Sequence, residues 1–233
     1  MSSGHTPAKT ASGQRSRRAF DRDQALAAAL REFWTHGYET TSIASLTKAM
    51  GIKPPSLYAA FGDKRQLFDE AVQLYTRTHG ARLREGSDAR SAVAALLRYL
   101  AADYTDPSHP PGCLIITGAT NCAPGSQDVK DKLRAMREET KASIAARIRA
   151  DVDAGLLLAD TDTDGLAAFY AAVIQGMNQQ ACDGATRETL ERVADAAMAA
   201  WPEAPSRAGS AAPSSRFPAS PVHPADRTER QEA

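Results

Sequence analysis

Residues 40–64 read TTSIASLTKAMGIKPPSLYAAFGDK and predict two short helices joined by a tight turn. Gly51 lies in the turn, where glycine can take the positive φ that a sharp change of direction requires. The second helix carries small side chains at Ser56 and Ala59, which permit close approach to another surface. In a helix-turn-helix, the second helix enters the major groove of DNA and contacts base edges near its N-terminal end. The segment therefore predicts such a motif.

Polar caps and glycine stops extend the helical pattern on both sides of this segment. Asp21 and Ser42 precede apolar periodic stretches and are typical N-caps. Prolines cost little in a first helical turn, so Pro54 can begin the third helix. Four helices are predicted here: Arg22–His36, Ile43–Met50, 54–60 and a fourth after Asp63. Four apolar residues would pack the two short helices against the first: Ile43, Leu46, Ile52 and Leu57.

The remainder of the sequence also has helical periodicity and no alternating strand pattern. Five further helices are predicted: 88–104, 112–119, a long helix through Val129 and Val152 that Gly155 ends, 164–182 and 187–201. The predicted fold class is all-α, with about nine helices. A three-helix helix-turn-helix domain at the N-terminus precedes a larger helical domain.

Four regions follow from composition and pattern. Residues 1–20 form a basic arm predicted to be flexible, with Lys9, Arg15, Arg17 and Arg18 and no acid among the first eighteen residues. The arm could enter the minor groove or act as a non-specific basic tail. Residues 21–64 are the DNA-binding domain and residues 65–201 the larger helical domain. Residues 202–233 hold six prolines and few large apolar side chains, so disorder is predicted there.

Charge is distributed unevenly although the formal net charge is zero. Residues 1–85 hold 13 basic against 8 acidic side chains, and the rest holds 15 against 20. The imbalance indicates that one end meets a polyanion, although five charges could also arise by chance.

No long apolar run or secretory signal is present, and three cysteines are too few for a disulfide framework. We therefore expect a cytoplasmic protein with no membrane partner.

The segment 20–75 resembles the DNA-binding domain of the TetR family of bacterial transcriptional regulators. The resemblance rests on Ala28 and Phe33, then Gly37-Tyr38, Thr41-Ser42-Ile43, Leu46, Gly51-Ile52, Ser56-Leu57-Tyr58, Phe61, Lys64 and Leu67-Phe68. The block PSLYAAFGDK, residues 55–64, is similar to one subgroup of that family. The matching motifs cover about a quarter of the chain, and the remainder agrees in length and layout.

The resemblance implies a set of DNA contacts. Ser42 would bind phosphate, the residues facing the groove would be Lys53, Pro54, Ser56 and Ala59, and Tyr58 and Lys64 would hold the DNA backbone. Thr41 is also of a type that binds phosphate oxygens. Tyr58 could instead pack within the helical hairpin, and Lys64 could be a solvated lysine. Pro54-Pro55 replaces a polar pair that is frequent in the family, so contacts there would be apolar.

The family resemblance also implies that the last two helices pair with those of a second subunit. Small residues at helical spacing mark one such face: Ala168, Ala172, Gly176 and Gln179. The following helix would contribute Leu190, Val193 and Ala197. Ordinary packing within one chain is the alternative. Two-fold symmetry would place two recognition helices on a palindromic site.

Apolar residues on other helix faces could line a cavity for a small-molecule effector. The candidates are Leu97, Tyr104, Cys113, Leu114, Thr117, Met136, Phe169, Tyr170, Val173, Ile174 and Met177. Each of them could equally fill a packed core. Cys113, with His109 and Cys122 nearby in sequence, could sense thiol-reactive compounds or metal. Their spacing matches no standard metal motif, so no metal and no cofactor are predicted.

Together these patterns predict a homodimeric repressor that binds a palindromic operator and is released by a small molecule. An enzyme is the first rival, but the sequence has no nucleophile elbow, phosphate loop or paired metal-binding motif. Its five histidines are scattered. A helical scaffold is the second rival, and it would leave residues 40–64 unexplained.

Overall fold

Short polar side chains begin most helices in this computed structural model, which describes residues 21–80, 83 and 87–202. The Asp21 carboxylate accepts the N–H groups of Asp23 and Gln24. Ser42 and Ser45 each accept the backbone N–H of the other, which completes a capping box. The helices are α1 Arg22–His36, α2 Ile43–Met50, α3 Pro54–Phe61, α4 Lys64–His79, α5 Ala89–Asp103, α6 Leu114–Thr117, α7 Gln127–Asp153, α8 Thr163–Cys182 and α9 Arg187–Ala199.

The all-α prediction is confirmed, since the described residues contain nine α-helices and no strand. The helix over 112–119 was predicted too long. Gly112 has a φ of 75° and Cys113 is extended, so α6 begins only at Leu114. One short 3₁₀ turn, Pro124–Ser126, was not predicted. None of the helices in the described ranges is long and apolar enough to cross a membrane.

The front three helices and the start of α4 form a head around one aromatic cluster. Phe33 of α1 lies edge-on to Phe68 of α4, with ring centroids 5.0 Å apart. Leu46 of α2 and Leu57 of α3 are fully buried beside them. Arg22 links α1 to α3 and α4 at the surface of the head. Its guanidinium donates to the Ala60 carbonyl oxygen at 3.3 Å and to the Glu70 carboxylate at 2.7 Å.

Helices α5, α7, α8 and α9 pack together as the rear domain. Asp151 of α7 is buried, and its carboxylate accepts the N–H of Ala89 at 2.6 Å, at the start of α5. Asn178 of α8 is also buried and accepts the N–H of Cys113 at 2.6 Å. These two buried polar residues hold the start of α5 and the loop before α6 in place. The predicted arm, 1–20, and the tail beyond Pro202 lie outside the described residues.

Candidate DNA interface and effector cavity

Helix α3 presents its polar face to solvent and its apolar face to the head. Leu57 and Phe61 are buried. The predicted groove-facing residues are all exposed: Lys53, Pro54, Ser56 and Ala59. Tyr58 is 51% exposed, a large fraction for an aromatic side chain. The Tyr58 hydroxyl forms no hydrogen bond within the described residues, so it is available to an external acceptor.

The start of α2 places Ser42 and Thr41 differently. Ser42 is exposed, and its hydroxyl oxygen accepts the Ser45 N–H at 3.0 Å as the helix cap. Ser42 therefore lies at a helix N-terminus, where backbone N–H groups favour an anion. Thr41 is buried, and its hydroxyl donates to the Gly37 carbonyl oxygen at 2.6 Å. The side chain of Thr41 thus points into the head, away from the surface that was predicted to bind phosphate.

Lys64 lies at the first residue of α4 and is half-buried. Its ammonium donates to the Glu39 carbonyl oxygen at 3.3 Å and lies 4.4 Å from the centre of the Tyr38 ring. Burial lowers the pKa of Lys64. An ammonium has three donors, so the contact with Glu39 leaves two for other acceptors. The side chain therefore braces the loop between α1 and α2 in addition to any contact with DNA.

Among the contacts that join the head to the rear domain, three lie near α6 and the start of α7. The Tyr38 N–H donates to the Gly118 carbonyl oxygen at 2.7 Å, directly after α6. Lys132 of α7 and Asp69 of α4 form an ion pair with an N–O distance of 2.7 Å. Arg65 of α4 also pairs with Asp128 of α7. A displacement of α6 or of the start of α7 would therefore move the head through these contacts.

A cavity of about 540 Å³ opens between α4, α5, α6, α7 and α8. Four of the predicted ligand-binding residues lie on its wall: Tyr104, Cys113, Met136 and Ile174. The sequence reasoning missed several others, among them Tyr75 and His79 of α4 and Ile115, Ile116 and Arg137. Tyr75 follows Phe68, Ala71 and Val72 at helical spacing, so the periodicity of α4 could have suggested it.

The cavity wall carries both exposed and buried polar groups. Glu139, Thr140, Ser143 and Gln175 are exposed at its opening, whereas Tyr75, Tyr104 and Cys113 are buried. Burial raises the pKa of the Cys113 thiol and of the Tyr75 and Tyr104 phenols, so all three stay neutral near pH 7. Arg137 is the cation of the wall, and its guanidinium donates to the Ile115 carbonyl oxygen at 2.7 Å. Burial lowers the pKa of Arg137, which nevertheless remains charged. The cavity suits a mostly apolar molecule with at least one polar group.

The other predicted cavity residues lie elsewhere. Four are buried in the packed core away from the cavity wall: Leu97, Leu114, Tyr170 and Met177. Thr117 and Val173 are half-buried and off the wall, and Phe169 is 41% exposed. For the residues of α8, the orientation of the helix about its own axis decides which side chains face the cavity. Ala171, Ile174 and Gln175 face the cavity, whereas the Tyr170 hydroxyl donates to the Ala197 carbonyl oxygen of α9 at 3.1 Å.

The predicted dimer residues also divide into two groups. On α8 an exposed row carries Ala168, Ala172, Gly176 and Gln179. A Cβ atom added at Gly176 would meet no atom within 4 Å. On α9, Leu190 and Ala197 are buried and Val193 is half-buried, because this face packs against α5 and α8 of the same chain. Those three positions therefore serve intrachain packing.

An exposed second helix on a helix-turn-helix head, joined to a helical domain with an internal cavity, defines a one-component DNA-binding regulator. Residues 25–71 match the family described as "Bacterial regulatory proteins, tetR family". Residues 89–197 match "Tetracyclin repressor-like, C-terminal domain". The chain belongs to the TetR family of bacterial transcriptional regulators, which confirms the resemblance seen in the sequence.

Several relatives are similar over most of their length. The HTH-type transcriptional repressor ComR of Escherichia coli K12 is 36% identical over 80% of this chain and 91% of its own. The repressor BdcR of the same organism is 30% identical over 78% and 88%. A cysteine mutant of the TetR family regulator CifR, solved with 26-bp operator DNA, is 46% identical. That structure covers 79% of this chain and 98% of its own, with a TM-score of 0.75.

Proposed function

We propose that this protein is a homodimeric repressor that binds a palindromic DNA operator through α3 and is released by a small molecule. The observation that carries the proposal is the exposed face of α3, where the side chains of Lys53, Ser56 and Tyr58 lie together and bond to no other described residue. The names of ComR and BdcR as repressors, and the operator complex of CifR, support the same role. Such a regulator acts in the cytoplasm and performs no catalytic step.

Palindromic recognition requires a two-fold dimer, because each recognition helix reads one half-site. The exposed row of small residues on α8 supports that assembly. Helices approach closely where side chains are short, and Gly176 leaves open space on this face. The DNA contacts proposed for each subunit are Ser42, Lys53, Pro54, Ser56, Tyr58, Ala59 and Lys64.

The release step follows from the position of α6. Ile115 and Ile116 belong to the cavity wall, and Gly118 directly after them accepts the Tyr38 N–H of the head. A molecule that enters the cavity and displaces α6 would therefore shift the loop between α1 and α2 through this hydrogen bond. Two heads must match the spacing of successive major grooves, so a small change in their separation weakens binding.

Selection from a random pool of double-stranded DNA, followed by footprinting at physiological salt, tests the first part. We expect one palindromic site, protected on both halves. Recovery of no preferred sequence would refute operator binding. With the operator in hand, a panel of apolar small molecules bearing one polar group tests release. We expect at least one to lower operator affinity in the wild type and not in Ala171→Trp, in which indole fills the cavity.

A further inference from the structure

Three titratable side chains meet at the junction of α4, α5 and the loop after α5. His79 ends α4, Asp103 ends α5, and His109 lies in the loop. His79 Nδ1 is 3.2 Å from the Asp103 Oδ1 atom, and His109 Nε2 is 3.7 Å from the same oxygen. One ligand atom from each of the three residues lies within 4.8 Å of the others.

The Asp103 carboxylate at the centre of this cluster is shielded from solvent, and its negative charge is only partly balanced by hydrogen bonds. The Asp103 side chain is only 10% exposed. Its second oxygen, Oδ2, is buried and has no hydrogen-bond partner within the described ranges. Tyr99 lies beside it, and its pKa is raised by burial and by the neighbouring carboxylate. Burying a carboxylate oxygen without a partner is costly, so the site favours a positive charge next to Asp103.

The hydrogen bond on the other side of His109 orients its ring. His109 Nδ1 lies 2.9 Å from the Pro110 carbonyl oxygen, which can only accept. Nδ1 is therefore the donor in this hydrogen bond, and Nε2 is the nitrogen that lies on the side of Asp103. Histidines that bind metals are usually oriented by such a bond from the other nitrogen to a carbonyl oxygen. Trp34 stacks on the His109 ring at 4.6 Å and keeps it in place.

The two distances from the Asp103 oxygen suit a small ion. Ligand atoms about 2.0–2.2 Å from a tetrahedral zinc ion lie roughly 3.3–3.6 Å from one another. The separations of 3.2 and 3.7 Å from Asp103 Oδ1 lie on either side of this range. Two imidazoles and one carboxylate are a donor set that binds divalent first-row transition metals. Three protein ligands would leave a further coordination position for water or another molecule.

We propose that His79, Asp103 and His109 form a binding site for one divalent transition-metal ion of the Zn²⁺ class. Asp103 also lines a surface hollow of about 400 Å³ together with Arg187, and His79 lines the larger cavity, so the cluster lies between two openings. The Asp106 carboxylate lines the same hollow and adds negative charge near both histidines. The ion would tie α4, which leads into the head, to α5 of the rear domain.

Titration of the full-length chain with Co²⁺, followed by Zn²⁺ competition, tests the site without DNA, so failure of operator binding cannot affect the result. We expect one Co²⁺ per chain, with d–d absorption and no thiolate-to-cobalt charge-transfer band. Asp103→Asn and His109→Gln should each lower the affinity for Zn²⁺ at least about 10-fold. His36→Gln, which alters an exposed histidine on α1, should leave it unchanged.

Equal Zn²⁺ affinity in Asp103→Asn, His109→Gln and the His36→Gln control would overturn the proposal. A strong thiolate charge-transfer band would also overturn it, because the ion would then sit on cysteines. Thermal melting shows whether each variant is folded, so that a loss of affinity is not mistaken for unfolding. Zn²⁺ should raise the Tm of the wild type and of His36→Gln, since an ion that binds the folded state stabilises it. No Tm shift in the wild type would contradict the site.

Discussion

The Tyr38 N–H donates a 2.7 Å hydrogen bond to the carbonyl oxygen of Gly118, 80 positions later in the chain. Tyr38 belongs to the loop that positions α2, and Gly118 directly follows α6, whose residues line the cavity. Gly37 makes this approach possible, because a Cβ atom there would lie 3.3 Å from the same oxygen. The backbone itself therefore connects the cavity to the DNA-binding head.

Gly37→Ala should disturb this connection. Gly37 has a φ of 77° and a ψ of 170°, a region nearly restricted to glycine, so the free energy of unfolding should fall by about 1–3 kcal/mol. We also expect weaker DNA binding, because the added methyl group pushes the head away from α6. Gly155→Ala is the control, since Gly155 has a φ of 71° and open space around it. DNA affinity that is equal in both variants, by fluorescence anisotropy, would argue against coupling through Gly118.

Tyr58→Phe should weaken operator binding without altering stability. The hydroxyl is exposed and has no partner in the described parts of the chain, so its loss costs the protein fold little. A hydrogen bond to a charged phosphate contributes about 1.5–3 kcal/mol, which corresponds to roughly a 10- to 100-fold loss for each subunit. Tyr99→Phe on α5 of the rear domain is the control for DNA affinity alone, because the Tyr99 hydroxyl interacts with Asp103. Unchanged affinity in Tyr58→Phe would remove this residue from the interface.

Lys53→Gln should reduce the salt dependence of DNA binding. Lys53 is exposed at the N-terminus of α3 and forms no ion pair with a described residue. Each phosphate that a lysine neutralises contributes about one unit to the slope of log affinity against log salt, so a dimer should lose about two. Lys141→Gln, in the middle of α7, should leave the slope as it is. Identical slopes in both variants would place Lys53 away from phosphate.

Gly176→Glu should dissociate the dimer and spare the monomer. The side chain finds open space in one chain, so helix content and melting should be retained. In a two-fold pair of α8 helices, two glutamates would face each other, and like charges at an interface cost several kcal/mol. We expect the dimer dissociation constant to rise more than about 10-fold in analytical ultracentrifugation. Ala146→Glu on the exposed face of α7 is the control, and equal dimerisation of both would exclude the α8 face.

Local signals in the sequence determined the helices and the surface of the head. Asp21, Ser42 and Asp63 cap the helices that follow them, because a short polar side chain at that position satisfies free N–H groups wherever it occurs. The burial of Leu57 and exposure of Tyr58 follow from the period of a short amphipathic helix. These features depend on neighbours within a few residues, so the sequence alone is sufficient to predict them.

Only the tertiary structure decided which side chains meet across helices. Thr41 turned inwards to the Gly37 carbonyl oxygen, and α9 buried Leu190 within its own chain. His79 and Asp103, 24 positions apart, come together because α4 and α5 end at the same place. A helical period shows that a face is apolar. The rotation and stagger of packed helices, which arise from the fit of many side chains at once, determine whether that face meets a core, a cavity or another subunit.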